Sequence, residues 1–309
     1  MRFEKKGLII GVDNQHWWSK LYAILPTPFL LNSDTIRVFF ASTCENKFGR
    51  IAYVDLDASS PGTIISKSNN FVFDKGILGA FDDCGVNPSS LLKVGSEYRL
   101  YYAGYQRHEL TPYSIFSGLA VSKDLESFSR IQQVPILDRI DGELNIRSAP
   151  TVIKLDTGFY MIYVAGTGWD DMETGLFKGR KMPIYNLRVA YSKDGVNWYP
   201  SDGYLFEKSN EEFGFGRPFI FYANQIHYLF FSVRKKNEPY QIEYAISNDN
   251  CKTWVRQSKI FGLDRSPQGW DSEMICYPSV ISVEDKTYLF YNGNNNGETG
   301  FGYAELIEW

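Results

Sequence analysis

One pattern recurs along this chain, and its period constrains the fold more than any single residue does. A proline leads an apolar strand, and a second strand then ends in an aromatic residue: Pro88 to Tyr101, Pro150 to Tyr163, Pro218 to Phe231 and Pro278 to Tyr291, thirteen residues in each case. An altered fifth copy runs from Pro28 to Phe40, and the successive prolines lie 60, 62, 68 and 60 residues apart. That spacing is too long for a solenoid repeat and suits one four-stranded propeller blade with generous loops. The expected fold is therefore all-β, a five-bladed β-propeller of four-stranded antiparallel blades.

Each copy continues into a third strand of small and apolar residues, such as Gly118-Leu119-Ala120-Val121 and Leu187-Arg188-Val189-Ala190. Next come Ser122-Lys123-Asp124, Ser192-Lys193-Asp194-Gly195 and Ser247-Asn248-Asp249. Asp and Asn there can accept from backbone amides two residues on, so these are hairpin turns rather than catalytic groups. A fourth strand ends in an apolar residue, an acid and a base, as in Phe73-Asp74-Lys75 and Leu137-Asp138-Arg139. The last copy stops at Trp309 without its fourth strand, while Phe3-Glu4-Lys5 carries that signature at the other end. The N-terminal strand is thus expected to complete the last blade and close the ring, removing exposed strand edges.

The repeats occupy nearly all of residues 1–309 with no Pro/Gly/Ser-rich linker, so one domain is expected. A formal charge of −4, without a long Lys/Arg block, argues against a general nucleic-acid binder. The apolar stretch near the start is interrupted at Asp13, too early for a signal peptide or a membrane span. Cys44, Cys84, Cys251 and Cys276 lack metal spacing and read as free thiols of a cytoplasmic protein. No cofactor is expected, because phosphate-cradling, dinucleotide and nucleophile-elbow motifs are all missing, and no metal, because His108 and His227 have no carboxylate or cysteine at metal-ligand spacing.

In a propeller, the segment leading into each proline strand opens onto the central channel. Five residues before the prolines stand Asp83, Asn145, Phe213 and Glu273, two of them carboxylates at positions that match by count. Facing each other across a channel, Asp83 and Glu273 would form the acid pair that glycosidic cleavage requires, one protonating the leaving oxygen and the other activating water or attacking the sugar. Asp82 and Asp271 compete for these roles. Arg147 and Arg217, three residues and one residue before their prolines, suit a substrate carboxylate or phosphate, with ion pairing to the nearby acids as the alternative. The long lead-in of the first copy adds Asp13, His16 and Trp17 as substrate-binding candidates, with Trp18 either beside them or packed below. Trp169 and Trp270 are weaker candidates for the pocket rim.

Phe81-Asp82-Asp83-x-Gly85-Val86-x-Pro88-Ser89, Arg217-Pro218 and Trp270-Asp271-Ser272-Glu273-Met274-Ile275-Cys276-Tyr277-Pro278-Ser279, continuing to Tyr291-Asn292-Gly293 and Thr299-Gly300-Phe301-Gly302-Tyr303, carry a further signal. With them the whole chain resembles the five-bladed propeller glycosidases, which include glycoside hydrolase families 32, 43, 62, 68 and 130, and most closely an uncharacterised bacterial group of predicted glycosyl hydrolases. The resemblance implies a carbohydrate-active enzyme with a small-molecule sugar substrate, either a glycoside hydrolase or a phosphorylase or transferase; a non-catalytic sugar-binding propeller is the other reading. The invertase-type Asn-Asp-Pro-Asn-Gly signature and the Glu-Asp-Pro-Arg motif of the mannoside phosphorylases are both missing, so residue roles do not transfer one by one.

Overall fold

Alternating side chains and turn residues every ten or so positions produce strands almost throughout. A computed structural model describes residues 1–12, 14–173, 175–257 and 260–309. After β1 (Arg2–Ile10), the first repeat supplies β2 (Leu21–Asn32), β3 (Thr35–Thr43), β4 (Gly49–Asp57) and β5 (Ile64–Lys67). The second supplies β6 (Gly85–Val94), β7 (Glu97–Arg107), β8 (Tyr113–Ser122) and β9 (Ser129–Arg130), and the third β10 (Ile146–Leu155), β11 (Gly158–Asp171), β12 (Lys181–Ser192) and β13 (Tyr199–Pro200). The fourth gives β14 (Glu212–Ala223), β15 (Ile226–Lys235), β16 (Gln241–Ser247) and β17 (Val255–Gln257); the fifth gives β18 (Cys276–Val283), β19 (Lys286–Asn292) and β20 (Phe301–Glu308). Among the described residues the one helix-like segment is a tight turn at Asn294–Gly297, in which Asn295 and Asn296 have φ of +49° and +60°.

Two compact units result: one of Met1–Val72, Phe219–Ser232 and Tyr240–Trp309, the other of Phe73–Pro218 and Val233–Pro239. In the first, β1 pairs antiparallel with β20, which places the N-terminal strand on the outer edge of the sheet β18-β19-β20, as Phe3-Glu4-Lys5 suggested. The same sheet lies against the first repeat: Ser279 donates to the Pro26 carbonyl at 2.6 Å, Asn292 donates to that of Ala23 at 2.7 Å, and the Leu25 amide donates to Asn292 Oδ1 at 2.8 Å. Beneath these bonds Ile36, Val38, Val54 and Leu56 share one core with Phe290, Phe301 and Tyr303. In the second unit, Tyr101, Leu119, Met161, Tyr163, Ala190 and Trp198 form a core between the second and third repeats.

Docking of the N-terminal strand depends on Gly262. Its φ of +81° suits glycine, and a Cβ would stand 1.8 Å from the Phe3 carbonyl oxygen. Gly262→Ala is expected to destabilise the protein by about 2 kcal/mol or more, because overpacking against backbone adds to left-handed strain. A urea midpoint equal to wild type would show that the strand is not held there.

The Ser-x-Asp turns are structural, as expected. Asp194 accepts from the Asn197 and Val196 amides at 2.9 and 2.8 Å, and Asp249 from the Thr253 hydroxyl at 2.6 Å and its amide at 2.9 Å. These bonds hold both carboxyls below the ordinary 3.8, Asp249 at about 2. Because the folded value is the lower one, their stabilisation is complete above pH 3.8 and is lost as the pH falls through about 2 for Asp249. Carboxyl NMR titration should place Asp249 there; a midpoint near 3.8 would contradict it.

Candidate functional site

The lead-in segments are pinned by a motif that recurs in three repeats. Asp82 accepts from Tyr102 at 3.0 Å and from Arg130 Nε at 2.7 Å. Glu143 accepts from Tyr163 at 3.0 Å and from Arg147 Nε at 2.7 Å, and also pairs with Arg188. Asp271 accepts from Tyr291 at 2.9 Å and from Lys5 at 2.7 Å. Each acid stands 20 residues before its tyrosine, so each cluster ties a lead-in to the second strand of its own repeat. Burial pushes the tyrosine hydroxyls upward, Tyr163 to about 12, and keeps them protonated donors. The packing is close: a Cβ on Gly76 would sit 2.0 Å from Asp82 Oδ1.

In the fourth repeat the aromatic is Phe231, without a hydroxyl, and Arg256 turns to Glu243 at 2.6 Å.

In these clusters Asp82, Asp271 and Arg147 are ion-paired within the protein, the alternative that the sequence left open for the arginines. All three are buried, at 0%, 2% and 3% exposure, with charges matched inside the protein. Their bonds fix the lead-in segments against the second strands. Sequence reasoning passed over Glu143, Arg130 and Arg188, although the acid-to-tyrosine interval of 20 was available as a signal.

The tyrosine register also corrects the counting from the prolines. A bulge falls opposite each tyrosine, at Ala149/Pro150 opposite Tyr163 and at Tyr277/Pro278 opposite Tyr291, but at Pro88/Ser89 opposite Tyr102. In the second repeat Ser89 therefore occupies the place of the other prolines. In the first repeat the bulge is at Leu25/Pro26, which makes Pro26 rather than Pro28 the counterpart. Asp83 follows its cluster acid by one residue and Glu273 by two, so they are not at equivalent positions; Asn145 matches Glu273. Leu25, Ala149, Arg217 and Tyr277, each directly before a proline, all have φ between +47° and +59°, a strained setting that recurs along the repeats.

Asp83 is half-buried at the end of a tight turn, and both of its bonds fall on Oδ2, from the Gly79 amide at 2.9 Å and Gln106 Nε2 at 3.4 Å. Glu273 is exposed, on a loop fixed by backbone contacts. Its amide and that of Met274 donate to Asn294 Oδ1 at 2.7 and 3.1 Å, Asn294 Nδ2 donates to the Gly269 carbonyl at 3.1 Å, and Thr299 donates to that of Trp270 at 2.7 Å. The long Trp270–Ser279 and Tyr291–Tyr303 motifs are thus two halves of one hydrogen-bonded assembly, in which Gly302 leaves room for the Trp270 ring; a Cβ there would meet it at 2.6 Å. Neither Asp83 nor Glu273 is ion-paired among the described residues, in contrast to the acids just before them.

Arg217 is fully buried, donates to the Ser89 carbonyl, and is pushed down to about 9 by burial. His16 stacks on the buried Trp18 ring at 5.4 Å, and the exposed Trp17 has the Arg50 guanidinium 4.7 Å from its ring. Asp13 lies outside the described residues. The four cysteines are free, and burial raises the thiol of Cys251 to about 12 and that of Cys276 well above its ordinary value, which removes these two as nucleophiles at neutral pH. Among the described residues no group of three or more His, Cys, Asp or Glu is placed to hold a metal ion, and no helix is long and apolar enough to cross a membrane.

This arrangement of strands has counterparts of known class. A solved glycoside hydrolase superposes with a TM-score of 0.73 at 20% identity, covering 98% of this chain and 90% of the other, so the two share a fold. In sequence the chain is 29% identical over 307 residues, 99% of both proteins, to the uncharacterized protein Rv1502 of Mycobacterium tuberculosis. It is also 22% identical over 200 residues to a 1,2-beta-oligomannan phosphorylase of Thermoanaerobacter sp. (strain X514), a match spanning 62% of this chain and 60% of that protein. No family model matches.

Proposed function

We propose that the protein is a carbohydrate-active enzyme that cleaves a glycosidic bond, its whole chain forming one five-bladed ring closed by β1, with Glu273 as general acid and Asp83 as base or nucleophile. The observation that carries this reading is the contrast between neighbours. Asp82 and Asp271 are ion-paired and enclosed, whereas the carboxylates one and two residues further on are less buried and, among the described residues, free of cationic partners. A general acid and its partner must exchange protons with substrate or water, which an enclosed, ion-paired acid cannot do. His16 and Trp17 are assigned to substrate binding, Trp17 through an exposed ring face suited to a sugar. The likeness to an oligomannan phosphorylase favours phosphorolysis as the second reading.

A panel of β-1,2-manno-oligosaccharides, other oligosaccharides, sugar phosphates and nucleotide sugars, incubated with and without inorganic phosphate, separates these readings. Turnover independent of phosphate supports hydrolysis, and turnover requiring it supports phosphorolysis. Binding without any product, unchanged by Glu273→Gln, would leave a sugar-binding protein in place of an enzyme.

A further inference from the structure

We infer that a cleft at the start of the third repeat is a distal subsite that binds one sugar ring of an oligosaccharide against Trp169; this rests on the carbohydrate reading above. The cleft has a volume of about 220 Å³ and is lined by Leu144, Asn145, Ile146, Thr167 and Trp169, with glycines 142, 166 and 168 between them. It lies wholly within the second unit.

Three features make it a sugar site. A β-bulge between Gly166 and Gly168 re-aims the end of β11, where the β11–β12 ladder continues to Asp171 and Lys181. Trp169 on that extension is half-buried; its ring meets Tyr113 edge-on at 5.2 Å and its Nε1 donates to Asn145 Oδ1 at 3.4 Å, so the indole is braced from two sides. Beside it stand the Asn145 amide, the exposed Thr167 hydroxyl and Leu144, which is 58% exposed. One braced aromatic with an amide, a hydroxyl and an apolar wall offers a stacking surface for the C–H face of a pyranose and hydrogen bonds for its edge. Gly142 (φ +84°) and Gly168 have no neighbour within 4 Å of a built Cβ, which leaves the cleft open.

The location connects this cleft to Asp83. Gln106, which contacts Asp83, pairs across with Ser114 on β8; the next residue, Ile115, donates its amide to the Asn145 carbonyl at 2.8 Å. The Asn145 backbone therefore lies two strand spacings, about 10 Å, from that of Gln106, whose side chain reaches Asp83. A substrate with its scissile bond at Asp83 would reach the cleft through two or more further sugar units.

The test uses manno-oligosaccharides of two to six units, or whichever oligosaccharide series the panel shows to be turned over. Wild-type KM should fall as the chain lengthens from two to four units. Trp169→Ala should raise the ratio of tetrasaccharide to disaccharide KM about tenfold, Trp169→Phe should restore it to within about threefold of wild type, and Asn145→Ala should raise it by a smaller factor. Trp169→Phe and Asn145→Ala keep the question open to measurement if Trp169→Ala fails to fold. An unchanged ratio in all three variants, in an enzyme that turns over oligosaccharides, overturns the subsite and leaves the function standing. If wild type neither binds nor converts any sugar offered, both fall.

Discussion

Replacing Glu143 by alanine is expected to destabilise the protein by about 3–5 kcal/mol, because it strands two guanidinium groups in the interior. Arg147 is 3% exposed and Arg188 17% by side chain, and both are matched by the one carboxylate, which is itself 1% exposed. Against a typical total of about 5–15 kcal/mol, that loss is large enough to abolish folding at moderate temperature. Tyr163→Phe removes only one hydrogen bond to the same acid, and about 1 kcal/mol is expected. Urea midpoints for the two variants should differ in that order. Equal, small shifts would mean that the cluster is open to water and that Glu143 does not anchor the lead-in. A compensated triple replacement of Glu143, Arg147 and Arg188 by apolar residues of similar volume should recover most of the loss, since the penalty lies in the uncompensated charge.

The second large effect concerns catalysis. Asp83→Asn and Glu273→Gln should each lower kcat by about 10²–10⁴-fold, the range that one positioned acid or base supplies. Both are loop carboxylates outside the buried clusters, so stability should change little. If they act as a unit, the double variant will be scarcely slower than the worse single one, because once one proton transfer is lost the other gains nothing. Losses that multiply would show the residues acting independently and would end the assignment of a pair. The pH–rate profile adds a check: Glu273→Gln should remove the alkaline limb that a general acid gives, and Asp83→Asn the acidic one.

Much of this was legible along the chain. Proline-led strands, alternating apolar residues and Ser-x-Asp turns are local signals, each with a mechanism confined to a few residues, and the observed strands follow them. Pairing of Arg2–Ile10 with the last strand was also readable, because an outer-strand signature at the start matches a gap at the end. The site was only half legible. Counting from prolines aligned Asp83 with Glu273, yet one bulge moves by a residue in the second repeat and shifts the frame there. The cluster acids looked as suitable as their neighbours because sequence carries no record of which carboxylate is enclosed.

The sequence by itself determined the repeat, the strand order within each repeat, the turn chemistry and the segments on which acids would sit, since all of these follow from backbone preferences and side-chain alternation over short spans. Tertiary structure decided which acids are neutralised. Lys5 reaches Asp271 across 266 residues and Arg130 reaches Asp82 across 48. Such partnerships depend on strand register and on the exclusion of water, and these exist only once the sheets have packed.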